Sequence, residues 1–278
     1  MRRRVFLMAA AALAVGVLCW GGAAGAGDET KEDLLFVHLT DLHCAARSQN
    51  PPARFAGDIH TKDFVRSFRI LELAVGEINR IEGVDFVVIT GDLTDSGNDV
   101  EGLRKVKSIL DGLSVPYYPV IGDHDRREVF RSVFGGALDA STDVKGRHLV
   151  MLDTSPGKLE ADDLEWFVRD LDAHEGAPTM VFMHRPPLLS DVEVYLAQKF
   201  YGSRLRLGNA DEVLAVIRAR PWVKAVFAGH CHTATERTQD GCFFVTSASL
   251  IEPGNLYRVV RVRGDEVTTE LRSVQVPP

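Results

Sequence analysis

Short apolar runs that end in an aspartate or a histidine recur along this chain, and they constrain its fold more than any other feature. The clearest is the run Val-Val-Ile-Thr at 87–90, which is followed by Gly91 and Asp92. A short apolar run rich in β-branched residues predicts a buried strand. Because ligands of open α/β sheets bind beyond the carboxyl ends of the strands, the repeated pattern predicts one shared site.

Five predicted strands carry carboxylate or imidazole side chains just beyond their last residue. The strands are predicted at 34–40, 84–90, 116–121, 179–183 and 223–228. The candidate metal ligands that follow them are Asp41, His43, Asp92, Asp123, His184, His230 and His232. Carboxylate and imidazole together suit Mn, Fe or Zn better than Ca, and this set exceeds the ligands of one tetrahedral zinc. We therefore expect two divalent ions that share a carboxylate.

Helical patterns separate these strands and set the fold class. Apolar residues recur at spacings of three and four within 64–78 and within 164–171. Alternating strands and helices predict an α/β fold with much parallel pairing. The strand-rich last third predicts a second sheet packed on the first, with closing strands at 256–262 and 267–271 that pair antiparallel. We see no linker and no internal repeat, so we expect one domain over residues 27–278.

Residues 1–26 have the composition of a cleaved export signal. Arginines at 2–4 precede an apolar stretch at 5–20, and Ala-Gly-Ala at 24–26 resembles a cleavage site. The apolar stretch is shorter than the ~18–20 residues of a membrane span, so we expect a signal rather than an anchor, and no span after its removal. The paired arginines also fit the twin-arginine route, with ordinary secretion as the alternative. The expected location is periplasmic or extracellular.

The net charge argues against long nucleic acids as partners. The full chain carries −7, and loss of the three signal arginines takes the net charge to −10. A nucleic-acid binder shows a basic footprint instead. The sequence does not predict the oligomeric state.

Two of the three cysteines that follow the signal lie inside the motifs. Cys44 follows His43, and Cys231 separates His230 from His232. If the motifs share a site, a Cys44–Cys231 disulfide is one hypothesis. The alternative is two small buried residues that pack beside the ligands.

Together the motifs carry a family resemblance. Asp-x-His at 41–43, Gly-Asp at 91–92, Gly-Asp-His-Asp at 122–125, the lone His184 and Gly-His-x-His at 229–232 resemble the calcineurin-like metallophosphoesterase family. The resemblance covers nearly all of the mature chain. The opening motif, together with Gly-Asp-Leu-Thr-Asp, is most similar to the bacterial cyclic-nucleotide phosphodiesterase branch. It implies a four-layer α/β architecture in which two mixed β-sheets pack as a sandwich flanked by helices.

The same resemblance implies two ion sites joined by Asp92. The ligands of one would be Asp41, His43, Asp92 and His232, and those of the other Asp92, Asp123, His184 and His230. A hydroxide that bridges the ions would attack phosphorus. His124 would stabilise the developing charge or protonate the leaving group, with Asp125 orienting its ring. Arg185 follows a ligand histidine and is a candidate phosphate contact, because arginine binds phosphate bidentately.

Position 123 departs from the family pattern, in which asparagine is usual. An aspartate still offers a hard oxygen. Its charge should hold a cation more firmly and leave the bound water less acidic. The alternative is that Asp123 turns away and water takes its place.

The expected activity is hydrolysis of a small phosphodiester or phosphomonoester, without a covalent enzyme intermediate. A metal-stabilised binding module without catalysis is the alternative from another class, and a nuclease is a third reading. His124 favours catalysis, because a scaffold would not need it. The acidic net charge disfavours long polyanionic substrates.

Overall fold

Eleven strands in two sheets and six α-helices form the part of the chain that a computed structural model describes, residues 32–45 and 63–277. The strands are β1 (Leu34–Leu39), β2 (Phe86–Thr90), β3 (Tyr117–Val120), β4 (Ala140–Val144), β5 (Arg147–Leu152), β6 (Thr179–Met183), β7 (Val223–Ala228), β8 (Thr235–Gln239), β9 (Cys242–Thr246), β10 (Leu256–Arg263) and β11 (Glu266–Ser273). The helices are α1 (Ser67–Ile78), α2 (Val100–Leu110), α3 (Arg127–Phe134), α4 (Ala161–Ala173), α5 (Asp191–Leu196) and α6 (Ala210–Arg218).

Both sheets are mixed, as predicted. The first has the order β11-β10-β1-β2-β3 and the second the order β4-β5-β6-β7-β9-β8. Strands β1, β2 and β3 run parallel, and so do β5, β6, β7 and β9. The antiparallel pairing of β10 with β11 is confirmed. However, these two strands extend the first sheet, where β10 pairs with β1, rather than building the second.

Aromatic side chains fill the space between the two sheets. Phe36 of the first sheet stacks on Phe86 and lies 5.8 Å from Phe182 and 5.2 Å from Phe227 of the second, measured between ring centroids. Burial of one such ring stabilises the fold by roughly 1.5–3 kcal/mol. Alternate residues of β1, such as Val37, face a second core under helices α1 and α2. Because both faces of β1 are covered, its sequence is apolar without alternation.

Helices α4 and α6 cover the outer face of the second sheet in the same way. The layers are therefore helix, sheet, sheet and helix, and the predicted fold class is confirmed. Within the described ranges, no helix has both the length and the apolar character needed to cross a membrane.

One sequence hypothesis needs correction. Cys44 and Cys231 do not pair: each is a buried free thiol, and they lie in separate apolar clusters. The predicted signal at residues 1–26 lies outside the described residues and stays a prediction.

Candidate metal centre

The carboxyl ends of β1, β2 and β3 meet those of β6 and β7 at one edge of the sandwich. Backbone contacts lock the strand ends together. The N–H of Asp41 donates to the carbonyl of Gly91 at 3.1 Å, and the ring Nδ1 of His184 lies 2.8 Å from the carbonyl of Thr90. The N–H of His230 donates to Oδ2 of Asp41 at 3.0 Å. The site thus spans both sheets, as the strand-end pattern predicts.

Several candidate ligands adopt a left-handed backbone conformation. The φ angles are 51° for Asp41, 36° for His43, 51° for Asp92, 68° for His230 and 52° for His232. Such conformations cost roughly 1–3 kcal/mol each for residues other than glycine and cluster at functional sites. The turns after the strands are therefore bent sharply, and the bend aims the ligand side chains at a common space.

Two glycines make these sharp turns possible by leaving room for the ligands. A Cβ on Gly122 would collide with the backbone nitrogen and Oδ1 of Asp92. A Cβ on Gly229 would collide with the hydroxyl of Thr40 and lie 2.5 Å from Oδ2 of Asp41. Any larger residue at either position would displace an acid of the site.

Four of the predicted ligands form a first group. Asp92, Asp123, His184 and His230 each offer one ligand atom, and these atoms all lie within 4.8 Å of one another. Nε2 of His184 is 2.8 Å from Oδ1 of Asp123 and 3.3 Å from Oδ2 of Asp92. Nδ1 of His230 is 3.1 Å from the same Asp123 oxygen.

The remaining ligands form a second group. Asp41, His43 and His232 also place their ligand atoms within 4.8 Å of one another. Nε2 of His232 lies 3.2 Å from Oδ1 of Asp41 and 3.3 Å from Nε2 of His43. Oδ2 of Asp92 lies 3.5 Å from Nε2 of His43, so Asp92 adjoins both groups. We call the seven residues of the two groups the strand-end cluster.

Carboxylates back two of the four histidines on the side away from the cluster. Nδ1 of His43 lies 3.2 Å from Oδ1 of Asp95, and Nδ1 of His232 lies 2.5 Å from Oε1 of Glu252. A carboxylate behind a ligand histidine fixes its tautomer and raises the basicity of the nitrogen that faces a metal. No sequence motif points to Glu252, because it comes from a loop after β9 that only the fold brings near.

Backbone carbonyls back the other two histidines. Nδ1 of His184 contacts the carbonyl of Thr90 at 2.8 Å, and Nε2 of His230 contacts the carbonyl of Arg204 at 2.9 Å. In all four rings, one nitrogen is therefore held and the other faces the shared acids. This is the arrangement that metal-ligating histidines show, so the residues present fit divalent ions.

The charges of the strand-end cluster hold one another in place. Burial alone would lower the pKa of His184 and His232, but the nearby carboxylates raise the pKa of both, that of His232 to about 10. Burial alone would raise the pKa of Asp41 and Asp123, but the imidazoles hold both below their usual range. The carboxylates thus stabilise positive charge beside them, and protons on the histidines supply that charge when no metal is bound.

The structure changes the roles expected around His124. Its ring is 42% exposed, lies 4.7 Å from the ring of His43 between centroids, and contacts the carbonyl of Asp95 through Nδ1 at 3.0 Å. The prediction that Asp125 orients this ring is wrong. The Asp125 carboxylate instead accepts hydrogen bonds from the backbone N–H groups of Leu93, Thr94 and Gly122.

Asp125 is therefore a buried brace between the turns that follow β2 and β3. Burial raises its pKa to about 6, and the charge of Asp92 acts in the same direction. Asp95, which the ligand pattern did not include, is the residue that holds His124.

The guanidinium of Arg185 points toward the cluster and not into open solvent. Its Nη2 lies 2.6 Å from Oδ2 of Asp123, and its Nη1 donates to the carbonyl of Arg204. The side chain is 13% exposed. Arg185 is thus engaged with a candidate ligand, and its predicted contact with a substrate phosphate stays a prediction.

Comparisons with known proteins agree with this geometry. A sequence profile of calcineurin-like phosphoesterases matches residues 34–234. A 3′,5′-cyclic-nucleotide phosphodiesterase of Nostoc sp. is 26% identical over 227 residues, which cover 79% of each chain. A probable glycerophosphodiester phosphodiesterase of Arcobacter nitrofigilis is 25% identical over 234 residues, 78% of each chain. The resemblance to bacterial cyclic-nucleotide phosphodiesterases is thereby confirmed.

A solved structure shares the fold. A dimetal phosphatase of Danio rerio superposes with a TM-score of 0.66 at 18% identity, over 87% of this chain and 99% of its own. The sequence profile spans most of the described residues and includes all seven residues of the strand-end cluster. The chain therefore belongs to the calcineurin-like phosphoesterase family and is a metal-dependent phosphohydrolase.

Proposed function

We propose that the chain hydrolyses a small phosphodiester with two divalent ions held by the strand-end cluster. The observation that carries the proposal is the position of Asp92. One oxygen of its carboxylate, Oδ2, lies 3.5 Å from Nε2 of His43 and 3.3 Å from Nε2 of His184, one histidine from each group. A carboxylate so placed can be shared by two ions, which is the arrangement of enzymes that displace groups at phosphorus.

The donor set supports Mn, Fe or Zn at both positions, since imidazole and carboxylate are mixed in each group. Two such ions supply positive charge that neutralises phosphoryl oxygens and lowers the pKa of water. The protein contributes the fixed geometry. Thr90, Asp95, Arg204 and Glu252 hold the histidine rings from behind, so little reorganisation accompanies substrate binding.

His124 is the residue that we assign to proton transfer. Both of its described polar ring contacts use Nδ1, with Asp95, and Nε2 is left for a substrate oxygen. Its backbone N–H donates to Oδ1 of Asp92 at 2.9 Å, which fixes the ring close to the cluster. A histidine at such a position can protonate the departing alkoxide. We expect the substrate to approach the exposed side of this ring.

A diester is favoured over a monoester by the relatives alone. Those described above are named phosphodiesterases of cyclic nucleotides and of glycerophosphodiesters, both small diesters. The match covers more than three quarters of the length of each relative. The acidic chain is consistent with small substrates rather than long polyanions.

The test is hydrolysis of a chromogenic phosphodiester and of the matching phosphomonoester by purified protein. Each is measured after metal stripping, after Mn²⁺ or Zn²⁺ is restored, and with His124→Ala. We expect metal-dependent turnover that prefers the diester and falls by roughly 100-fold or more in His124→Ala. Two bound ions without turnover of either ester would instead support a metal-stabilised binding module.

We also propose that the protein acts outside the cytosol, after removal of residues 1–26. The support is the arginines at 2–4, the apolar stretch at 5–20 and the small residues at 24–26. Expression in a Gram-negative host tests this, with the amino terminus of the periplasmic protein sequenced. Arg3→Lys with Arg4→Lys should block export if the twin-arginine route is used. Full-length protein retained in the cytosol of the unaltered strain would contradict export.

A further inference from the structure

Asp123 divides its two carboxylate oxygens between different partners. Oδ1 faces the strand-end cluster, 2.8 Å from Nε2 of His184 and 3.1 Å from Nδ1 of His230. Oδ2 faces away and forms an ion pair with Nη2 of Arg185 at 2.6 Å. Asp123 therefore has not turned out of the cluster, which was the alternative for this position.

Arg185 is fixed on its other side as well. Its Nη1 donates to the carbonyl of Arg204, the same carbonyl that Nε2 of His230 contacts at 2.9 Å. Its backbone N–H donates to the hydroxyl of Thr154 at 3.0 Å. One guanidinium thus links two neighbouring candidate ligands, Asp123 directly and His230 through a shared carbonyl.

The ion pair also changes the charge that a bound cation would meet. An aspartate at position 123 adds a negative charge that the family's usual asparagine lacks, and the paired guanidinium removes it again. One oxygen of Asp123 faces the cluster, and Arg185 cancels the negative charge behind it. A bound cation would therefore meet one oxygen and almost no net charge, as it would from an asparagine amide. The interaction is charge-assisted and mostly buried, so solvent screens it weakly.

We propose that Arg185 is a positioning residue that makes Asp123 act as a neutral oxygen ligand toward the cation held by Asp92, Asp123, His184 and His230. This inference rests on the proposed function, because it assumes that a cation binds there. It reassigns Arg185 from substrate contact to support of a ligand. It also predicts a specific non-additivity between positions 123 and 185.

Four proteins test the proposal: the unaltered chain, Asp123→Asn, Arg185→Gln and the double variant. The readout is Mn²⁺ binding to metal-stripped protein, with free Mn²⁺ counted by electron paramagnetic resonance. Asp123→Asn leaves an unpaired guanidinium beside the cation. In this variant the affinity of the weaker of the two Mn²⁺-binding steps should fall by roughly 10–100-fold. Arg185→Gln removes the cancelling charge and should bind at least as tightly as the unaltered chain. The double variant restores the original charge and should return to within a few-fold of it.

A matched control keeps the charge and changes the shape. Arg185→Lys retains a cation but loses the planar fork that joins Asp123 to the Arg204 carbonyl. We expect Mn²⁺ affinity close to that of the unaltered chain. Thermal unfolding of all variants without metal shows whether each is folded, and the rescue by the double variant would not follow from a general loss of structure.

The outcomes separate the two proposals. If the unaltered chain binds no Mn²⁺ at this position, the proposed function falls and this inference falls with it. If it binds two ions but Asp123→Asn and the double variant lose affinity equally, the function stands and the charge pairing is wrong. If Arg185→Gln leaves Mn²⁺ binding unchanged in both backgrounds and raises only KM for the diester, Arg185 is a substrate contact.

Discussion

The strand-end cluster can be compared with another cluster of histidines and acids in the described part of this protein, and only the strand-end cluster is built like a metal centre. This other cluster, which we call the His148 cluster, comprises Asp143, His148, Asp170 and His174. Both ring nitrogens of His148 already contact acids, Asp143 through Nδ1 and Asp170 through Nε2, both at 2.8 Å. The ring of His174 stacks on His148 with centroids 3.6 Å apart.

In the strand-end cluster each ring is held at one nitrogen and offers the other to shared acids. Most of its residues have a left-handed backbone, whereas none of the four residues of the His148 cluster does. The His148 cluster instead joins β4, β5 and the end of α4 through hydrogen bonds and stacked imidazole rings. Residue types alone therefore do not define a metal centre, because the nitrogen that each ring directs toward the shared acids and the turn that directs it matter as much.

The largest expected difference between the clusters follows removal of one residue from each. Asp92→Ala deletes the carboxylate that adjoins both ligand groups. Since even loss of an outer partner of a ligand costs 10–100-fold, turnover should fall by at least about 100-fold, with loss of both ions. His148→Gln should leave Mn²⁺ stoichiometry and turnover unchanged and lower stability by roughly 1–3 kcal/mol in urea unfolding. Equal metal loss in the two variants would remove the distinction.

Substitution of a glycine beside each cluster tests the same difference between them. In Gly122→Ala the new methyl group would collide with Asp92, so we expect metal binding and turnover to drop nearly as far as in Asp92→Ala. The matched control is Gly146→Asn, in the turn before His148. There a Cβ meets nothing within 4 Å, and asparagine tolerates the positive φ of 69°. Metal content by mass spectrometry checks both, and a Gly122→Ala protein with full occupancy would contradict the expectation.

The sequence predicts the candidate ligands much better than the groups that hold their side chains in place. The candidate ligands follow apolar runs that are recognisable without a structure, and β6 and β7 match the predicted bounds residue for residue. The strands β4 and β8 were not predicted, because each lies at a sheet edge and consists mostly of polar, incompletely buried residues. A strand buried on one face or none carries a weaker apolar signal.

The supports could not be predicted because they depend on tertiary geometry. Two of them, at Thr90 and Arg204, are backbone carbonyls, which any residue would supply. Asp125 was misassigned because it adjoins His124 in sequence. The turn after β3 directs its carboxylate back to the amides of Leu93 and Thr94.

A smaller effect is expected from the carboxylates behind the histidines. Glu252→Gln keeps a hydrogen-bonding group near Nδ1 of His232 but removes its charge. We expect a 10–100-fold loss of Mn²⁺ affinity, measured by calorimetry. Asp143→Asn makes the same change behind His148 and should leave Mn²⁺ affinity as it was. An unchanged affinity in Glu252→Gln would show that the carboxylate does not tune the ligand.

The smallest effect expected is a pH dependence confined to the strand-end cluster. The folded pKa of His232, about 10, lies above its ordinary value of 6.5, so its protonated form stabilises the metal-free protein below pH 6.5. That contribution is lost as the pH rises toward 10. Metal requires the neutral ring, so Mn²⁺ binding should release protons and strengthen over the same interval.

Thermal unfolding of the metal-free and the Mn²⁺-loaded protein across this interval checks the pH effect. The gap between the two unfolding temperatures should widen as the pH rises. The widening should persist in His148→Gln, because the His148 cluster takes no part in metal binding. Two parallel curves would show that no proton leaves when Mn²⁺ binds.

Anomalous diffraction from crystals grown with Mn²⁺ tests most directly whether the strand-end cluster is a dinuclear metal centre. The arrangement predicts two peaks that flank Asp92, one on the side of His43 and the other on the side of Asp123, and none beside His148 within the described residues. A crystal with no peak at Asp92, or with a peak at His148 instead, would contradict it.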